Sequence, residues 1–401
     1  MLTNKSIFVF FLAFIFSFSV AANDAPVKTK IKFYSTTLDL QYDPTMLAKN
    51  KHCTSTACVK RFYLKLEESN YQLLLDGLLA YKEDLQLNDW FFYNLVRKAV
   101  EHIYKNEKDM FRTSTTWFLL TKAGYDTRLY TAKDKYTFLF VRSEDKVFDA
   151  SYVKMKGQLY VNLTSLYFGL KTKGIYFEVP KYQPGQLNDK LFSFKIGKLP
   201  ELPPMTVDKT YKFKLDKEEV VLKVKVDTLG NALLRKFPST LPMNYIKIPL
   251  SETTLVSLKE ALQPHLEGKT DAEKISVLVS FTRKAFPYKS DQIRFSVNKP
   301  LTADQLMMAD TSDSEDRCAL LYSLLKETTD LNFILVKYIY NDIITIGVEL
   351  PEVTGRPFVH EGIEYTICDP TMPSNSSKLG LYPINLDKDI EILEVVKGVR
   401  N

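Results

Sequence analysis

Residues 312–325 read SDSEDRCALLYSLL and hold most of what this chain offers for covalent chemistry. Ser312 and Glu315 have the S-x-x-E spacing of a capping box, which predicts a helix from Asp313 with Ser314 in its first turn. Unpaired N–H groups and the positive dipole end favour an anionic nucleophile there, and a thiolate at that place has a lowered pKa. The residue is a serine, and a hydroxyl needs an adjacent base to attack at neutral pH. Cys318 lies one turn further on, a displacement of about 5.4 Å. With Leu321 and Leu325 it forms a stripe at helical spacing, so it reads first as a core cysteine and second as an alternative nucleophile.

A partner for that helix comes from DIITIGVEL and GIEYTICDPT. Pro351, Gly355 and Pro357 separate them, which predicts a long β-hairpin. Pairing its arms brings Asp342, at the start of the first, toward Asp369, at the end of the second. Helix start, strand start and strand end then share one mouth, the geometry a nucleophile–base–orienter triad needs. Cys368 precedes Asp369 and faces the opposite side of the strand. A Cys318–Cys368 disulfide and two separate buried thiols both fit this pattern. The four histidines are His52, His102, His265 and His360. His360 is nearest in sequence, but it belongs to the turn end of the hairpin, roughly 25–30 Å from the mouth at about 3.3 Å per residue. None is placed to act as a base.

These residues carry a resemblance. FPYKSD, DSEDRCALLYSLL, EGIEYTICDPT and Gly380 are similar to the transglutaminase-like, papain-fold superfamily, in particular to secreted transglutaminase-like proteins of Bacteroidetes-type bacteria. The resemblance covers about 110–150 residues, centred on 270–380. In that family the helix motif is D-C-E-D-R with a nucleophilic cysteine, the first hairpin strand opens with a histidine base, and D-P-T supplies the orienting aspartate. Here Ser314 stands at the cysteine position and Asp342 at the histidine position, and only Asp369 is retained. The resemblance implies a scaffold with a vestigial triad. The expected role is a catalytically inactive binding or scaffold module for a polypeptide or cell-envelope ligand. The alternative is an active cysteine acyltransferase or peptidase using Cys318.

The elements that position this segment predict an α+β protein. After an initial strand-like stretch, residues 22–180 hold three helical patterns, with Asn88 or Asp89 as a cap and Gly124 at a helix end. Four strand patterns follow, the last QLYVNLTSLYFGL. The linker KLPELPPMTVDK lies inside a β-rich region at 181–250, where LFSFKIG, the hairpin TYKFKLDKEEVVLKVKV and NYIKIPL all alternate. Residues 251–401 form the transglutaminase-like domain, opening with Ser251 as an N-cap. The two α/β segments echo each other in helix–helix–strand order, and in GQLY and GIEY, so the first is a candidate degenerate copy of the second.

Residues 1–21 read as a cleaved signal peptide, with Lys5 ahead of an apolar run and small residues before Ala22. A periplasmic or secreted location is therefore expected, with no transmembrane segment after cleavage. In such a compartment Cys53 and Cys58 read as a local disulfide; with His52 alone they make an incomplete zinc set. A net charge of +6 over 401 residues, without a basic block, argues against nucleic-acid binding. No Gly-rich phosphate loop, Walker pattern or H-E-x-x-H occurs, so no cofactor or metal is expected.

Overall fold

The computed structural model describes residues 25–47, 56–132, 136–148, 150–172, 175, 189–215, 217–290, 299–339, 343–370, 378–381 and 390–398. The signal-peptide reading, His52, Cys53 and Asp342 lie outside these residues, and with them the Cys53–Cys58 pairing.

Alternation in KIKFYSTTLDLQY gives an antiparallel hairpin, β1 (Val27–Phe33) and β2 (Thr36–Tyr42), with Tyr34 in the left-handed region at its turn. Four helices follow: α1 (Thr56–Glu68), α2 (Gln72–Asp84), α3 (Asp89–Ile103) and α4 (Asp109–Lys122). Asn88 caps α3 by accepting from Phe91 N, and Gly124, at φ 94°, follows the end of α4. The first sheet contains β3 (Thr127–Ala132), β4 (Tyr136–Arg142), β5 (Tyr152–Met155) and β6 (Gln158–Asn162), in the order β3-β4-β6-β5. The run after β6 is not strand: Asn162 accepts from Ser165 N and opens α5 (Leu163–Phe168), which Gly169 ends at φ 63°. A local side-chain cap here outweighs the β-propensity of the aromatic residues.

Next come the hairpin β7 (Thr206–Leu215) and β8 (Glu218–Asp227), then α6 (Leu229–Leu234), α7 (Pro242–Ile246), α8 (Glu252–Leu266) and α9 (Asp271–Lys284). The chain closes with α10 (Ala303–Met308), α11 (Ser314–Thr328), β9 (Phe333–Tyr338), β10 (Ile343–Val348), β11 (Pro357–His360), β12 (Ile363–Ile367) and β13 (Ile390–Val396). The second sheet is ordered β11-β12-β10-β9-β13, all antiparallel. The structure is thus mixed helix and sheet, as expected of α+β. Among the described residues no helix is long and apolar enough to cross a membrane.

Two large cores form. The first gathers β1, β2, α1–α4 and one face of the first sheet; the second gathers α8–α11 and one face of the second sheet. Residues 181–250 divide their apolar side chains between them. The inward face of β7–β8, with Tyr211, Phe213, Leu222 and Val224, joins the second core. Phe192 and Phe194, then Leu229, Leu233, Phe237 and Tyr245, join the first. NYIKIPL is not a strand: Pro242 starts α7, and Tyr245 and Ile246 point to different cores. LFSFKIG stays extended, but its N–H groups are met by Arg142 O, Asp89 and Asp145 rather than by a full ladder.

The halves share a topology. In each, a helix packs on a second helix that lies against a sheet, and four strands follow in the spatial order first, second, fourth, third. The tight turns before β6 and β12 match: Lys156 and Gly157 have φ 49° and 81°, Glu361 and Gly362 have φ 49° and 80°.

Candidate functional site

The start of α11 is capped differently from the S-x-x-E expectation. Asp313 is the N-cap: its Oδ1 accepts from Asp316 N at 3.3 Å, and Asp316 Oδ2 accepts from Asp313 N at 3.1 Å. Asp316 Oδ1 also accepts from Leu301 N at 2.7 Å, tying in the segment before α10. Ser312 is taken up elsewhere, donating to Phe286 O at 3.1 Å and accepting from Arg317 Nε at 2.8 Å. The helix therefore begins at Ser314, and native carboxylates already occupy the positive end of its dipole.

Ser314 is buried. Next to it Glu315 is half-buried, and its carboxyl is pushed up to about 8, by burial first and by the neighbouring Asp313 charge second. Among the described residues no hydrogen bond joins the Glu315 carboxyl to the Ser314 hydroxyl. No described histidine serves as its base either. His102 is on α3, with its Nε2 2.8 Å from Thr29 Oγ1; His265 is in the last turn of α8; His360 ends β11 at the far turn.

Cys318 is fully buried, and its Sγ donates to Ile344 O at 2.8 Å. Burial, and then the charges of Asp369, Glu315 and Asp313, push its thiol well above the ordinary range. This is the opposite of the lowered pKa that a nucleophilic thiolate at this place needs. Cys368 is also fully buried in the second core, with its thiol pushed up to about 12 chiefly by burial. Both are free thiols, which settles the choice between a Cys318–Cys368 disulfide and two separate thiols.

Asp369 is buried at the end of the strand it was expected to end. Val348 pairs with Thr366 and Gly347 with Ile367, and Cys368 N donates to Ile346 O at 2.7 Å. The hairpin is shorter than expected because the intervening residues fold back as β11 and pair with β12 instead. Even so, this register leaves Asp369 near the start of β10, the end from which Asp342 precedes it.

Two buried arginines fix this mouth, and neither was singled out from the sequence. Arg283, on α9, donates through Nε to Asp369 O at 2.6 Å and through Nη2 to the same oxygen. Arg317, on α11, donates to Pro370 O at 3.2 Å and Phe286 O at 2.7 Å. Its guanidinium also lies 5.5 Å from the ring centroid of the exposed Tyr288. The segment FPYKSD runs beside the helix start, with Ser312 N donating to Pro287 O and Lys289 N to Ser312 O. Burial lowers the pKa of both arginines, because their partners are mostly neutral carbonyls. Arg317 was legible within E-D-R. Arg283 had a fainter signal, the TRKAF that matches VRKAV around Arg97 in the other half.

The constellation thus gathers a buried hydroxyl with no histidine beside it among the described residues, a fully buried thiol and a carboxyl with a raised pKa. No protein-family model and no curated protein matches the chain.

Proposed function

We propose that this protein is a secreted or periplasmic binding or scaffold module whose C-terminal half is a transglutaminase-like unit without a working triad. The observation that carries this reading is the state of its nucleophile positions. Ser314 has no imidazole beside it among the described residues, and Cys318 is a neutral, fully buried thiol bonded to a strand carbonyl. The mouth keeps its shape because Arg283 and Arg317 hold the 369–370 backbone, so a surface remains where chemistry does not. A polypeptide or cell-envelope component is the ligand class, taken by analogy with the acyl substrates of the superfamily. In the same reading residues 22–180 are a degenerate copy of the C-terminal unit, residues 1–21 are a signal peptide, and Cys53 pairs with Cys58. The shared strand order and matched turns support the copy.

Native alkylation with a limiting thiol reagent at pH 6–8, read by peptide mass spectrometry, tests the silent site. Cys318 should stay unlabelled until the protein is unfolded. Rapid labelling in the native state would overturn the reading and return the enzyme alternative. A Ser314→Cys variant sharpens the test. Its new thiol should label faster than Cys318 but more slowly than an exposed free cysteine, because burial and the carboxylates of Asp313 and Asp316 oppose thiolate formation. Labelling faster than a free cysteine at pH 6 would show that the mouth still activates a nucleophile.

A further inference from the structure

Two buried aspartates belong to one hydrogen-bonded knot where the two cores join, linked through Ser251 and Thr254. Asp304, in the first turn of α10, is 1% exposed. Ser251 N donates to its Oδ2 at 2.7 Å and Ser251 Oγ to its Oδ1 at 2.9 Å. Asp304 therefore caps α8 from outside, and the Ser251 side chain expected to cap α8 makes no cap bond of its own. Asp227 ends β8 and is 5% exposed. Its Oδ1 accepts from Met205 N and from Leu229 N, both at 2.9 Å, and its own N–H donates to Thr254 Oγ1 at 2.9 Å. Gly230 packs so closely that a Cβ there would lie 3.1 Å from Asp304 Oδ2.

The pair thus ties five segments together: the proline-rich strap at 198–205, β8, α6, α8 and α10. Of these, α6 belongs to the first core and β8, α8 and α10 to the second. A cavity of about 600 Å3 lies beside the knot, between the strap residues Leu199 and Leu202 and the α6 and α8 residues Leu229 and Leu255. The segments therefore have room to separate. The charged group facing Asp304 is Asp227; α6 and α8 offer it Gly230, Ser251 and Thr254, which do not titrate. Glu252, at the start of α8, is exposed. The cations of neighbouring segments are engaged elsewhere, Lys198 with Glu201 and Lys299 with Arg235 O.

We propose that Asp304 is a pH-operated latch between the two cores, closed while it holds its proton and loosened when it is ionised inside the knot it shares with Asp227. Burial, opposed by the bonds from Ser251 and Thr254 and aided by the Asp227 charge, pushes Asp304 up to about 6 from an ordinary 3.8. The closed form therefore binds its proton more tightly than the opened form. Raising the pH through the interval from about 4 to 6 favours opening, by up to about 100-fold for a shift of about two pH units.

Hydrogen exchange of the full chain, corrected for intrinsic rates, reads this directly in peptides covering 199–205, 229–235 and 251–256. Protection there should fall about tenfold between pH 5 and pH 7.5 in the wild type, most of the remaining span having been spent below pH 5. It should change less than threefold in Asp304→Asn, whose amide keeps the acceptor for Ser251 N. Asp227→Asn removes the facing charge and should also reduce the pH response, which keeps the test usable if the first variant does not fold. The latch is wrong if wild-type protection in these peptides is independent of pH, or if both variants keep the wild-type response. It is equally wrong if every peptide of the protein loses protection together, which would report global unfolding.

Discussion

The two α/β halves place a buried arginine at the same kind of position and use it differently. In the N-terminal half Arg97, on α3, reaches Asp109 Oδ1 at 2.7 Å, Glu101 Oε1 at 3.0 Å and Thr113 Oγ1 at 3.1 Å. Burial lowers its pKa, but Tyr93, Asp109 and Glu101 more than offset this and leave it raised. Tyr167 and Phe168 of α5 lie against the guanidinium, so the start of α4 is closed by side chains. In the C-terminal half Arg283 donates to the Asp369 carbonyl and Arg317 to the Phe286 and Pro370 carbonyls and the Ser312 hydroxyl, and burial lowers both pKa values. One half neutralises its arginine and seals the helix start; the other uses two arginines to shape a loop around a helix start rich in carboxyl groups. An arginine bonded to carbonyls defines backbone position without cancelling local charge, which suits a surface that presents something.

The largest expected effect separates these two uses. Arg317→Ala takes a buried donor from the Pro370 carbonyl and the Ser312 hydroxyl oxygen and leaves Phe286 O with the Ser312 hydroxyl alone, at a cost of about 3–5 kcal/mol. Arg97→Ala should cost about half as much, because the Asp109 and Glu101 side chains, 54% and 31% exposed, can turn to water. Chemical denaturation of both variants checks the ratio, and equal losses would break the distinction.

The second effect lies in pH dependence and concerns the C-terminal half alone. Glu315 holds its proton more tightly in the folded protein, so its contribution is present below about 4.5 and is lost as pH rises toward about 8. Glu315→Gln should remove that decline and stabilise the protein at pH 8 by about 2 kcal/mol, a figure reduced for solvent screening at a half-buried side chain. Melting curves from pH 5 to pH 8.5 decide it; a variant that declines as steeply as the wild type would mean that Glu315 ionises freely.

The smallest effect tests likeness. Gly157 and Gly362 have nearly the same positive φ, and neither has an atom close enough to clash with an added Cβ. Alanine at either should cost about 1 kcal/mol through backbone strain alone, equally within about 0.5 kcal/mol. A large inequality in denaturant midpoints would show that the turns are alike in shape but not in setting.

Much of the framework was legible. The helices α2, α3, α8, α9 and α11 follow from apolar spacing, and the strands β3, β4, β9, β10 and β12 from alternation. Misreadings arose where a local pattern had two physical solutions. SDSED offers S-x-x-E and D-x-x-D one residue apart, and Arg317 decides between them by taking the Ser312 hydroxyl. NYIKIPL alternates like a strand, but its side chains serve two cores, which a short helix satisfies. For α1, Val59, Phe62, Tyr63 and Leu66 have a helical spacing that was passed over beside a cysteine pair read as a local disulfide.

By itself the sequence determined the periodicities, the paired G-x-x-Y turns and the residues present at 314, 342 and 369, because each is a property of neighbours a few positions apart. A serine at 314, an aspartate at 342 and a shortage of histidine could be read without any fold. Only the tertiary structure decided that Cys318 is sealed against Ile344, that Arg283 holds a carbonyl 86 residues away, and that Ser251 and Thr254 link Asp227 to Asp304 at the junction. Those outcomes depend on which segments share one desolvated volume. Burial is what turns a thiol inert, a carboxylate into a proton holder and an arginine into a clamp.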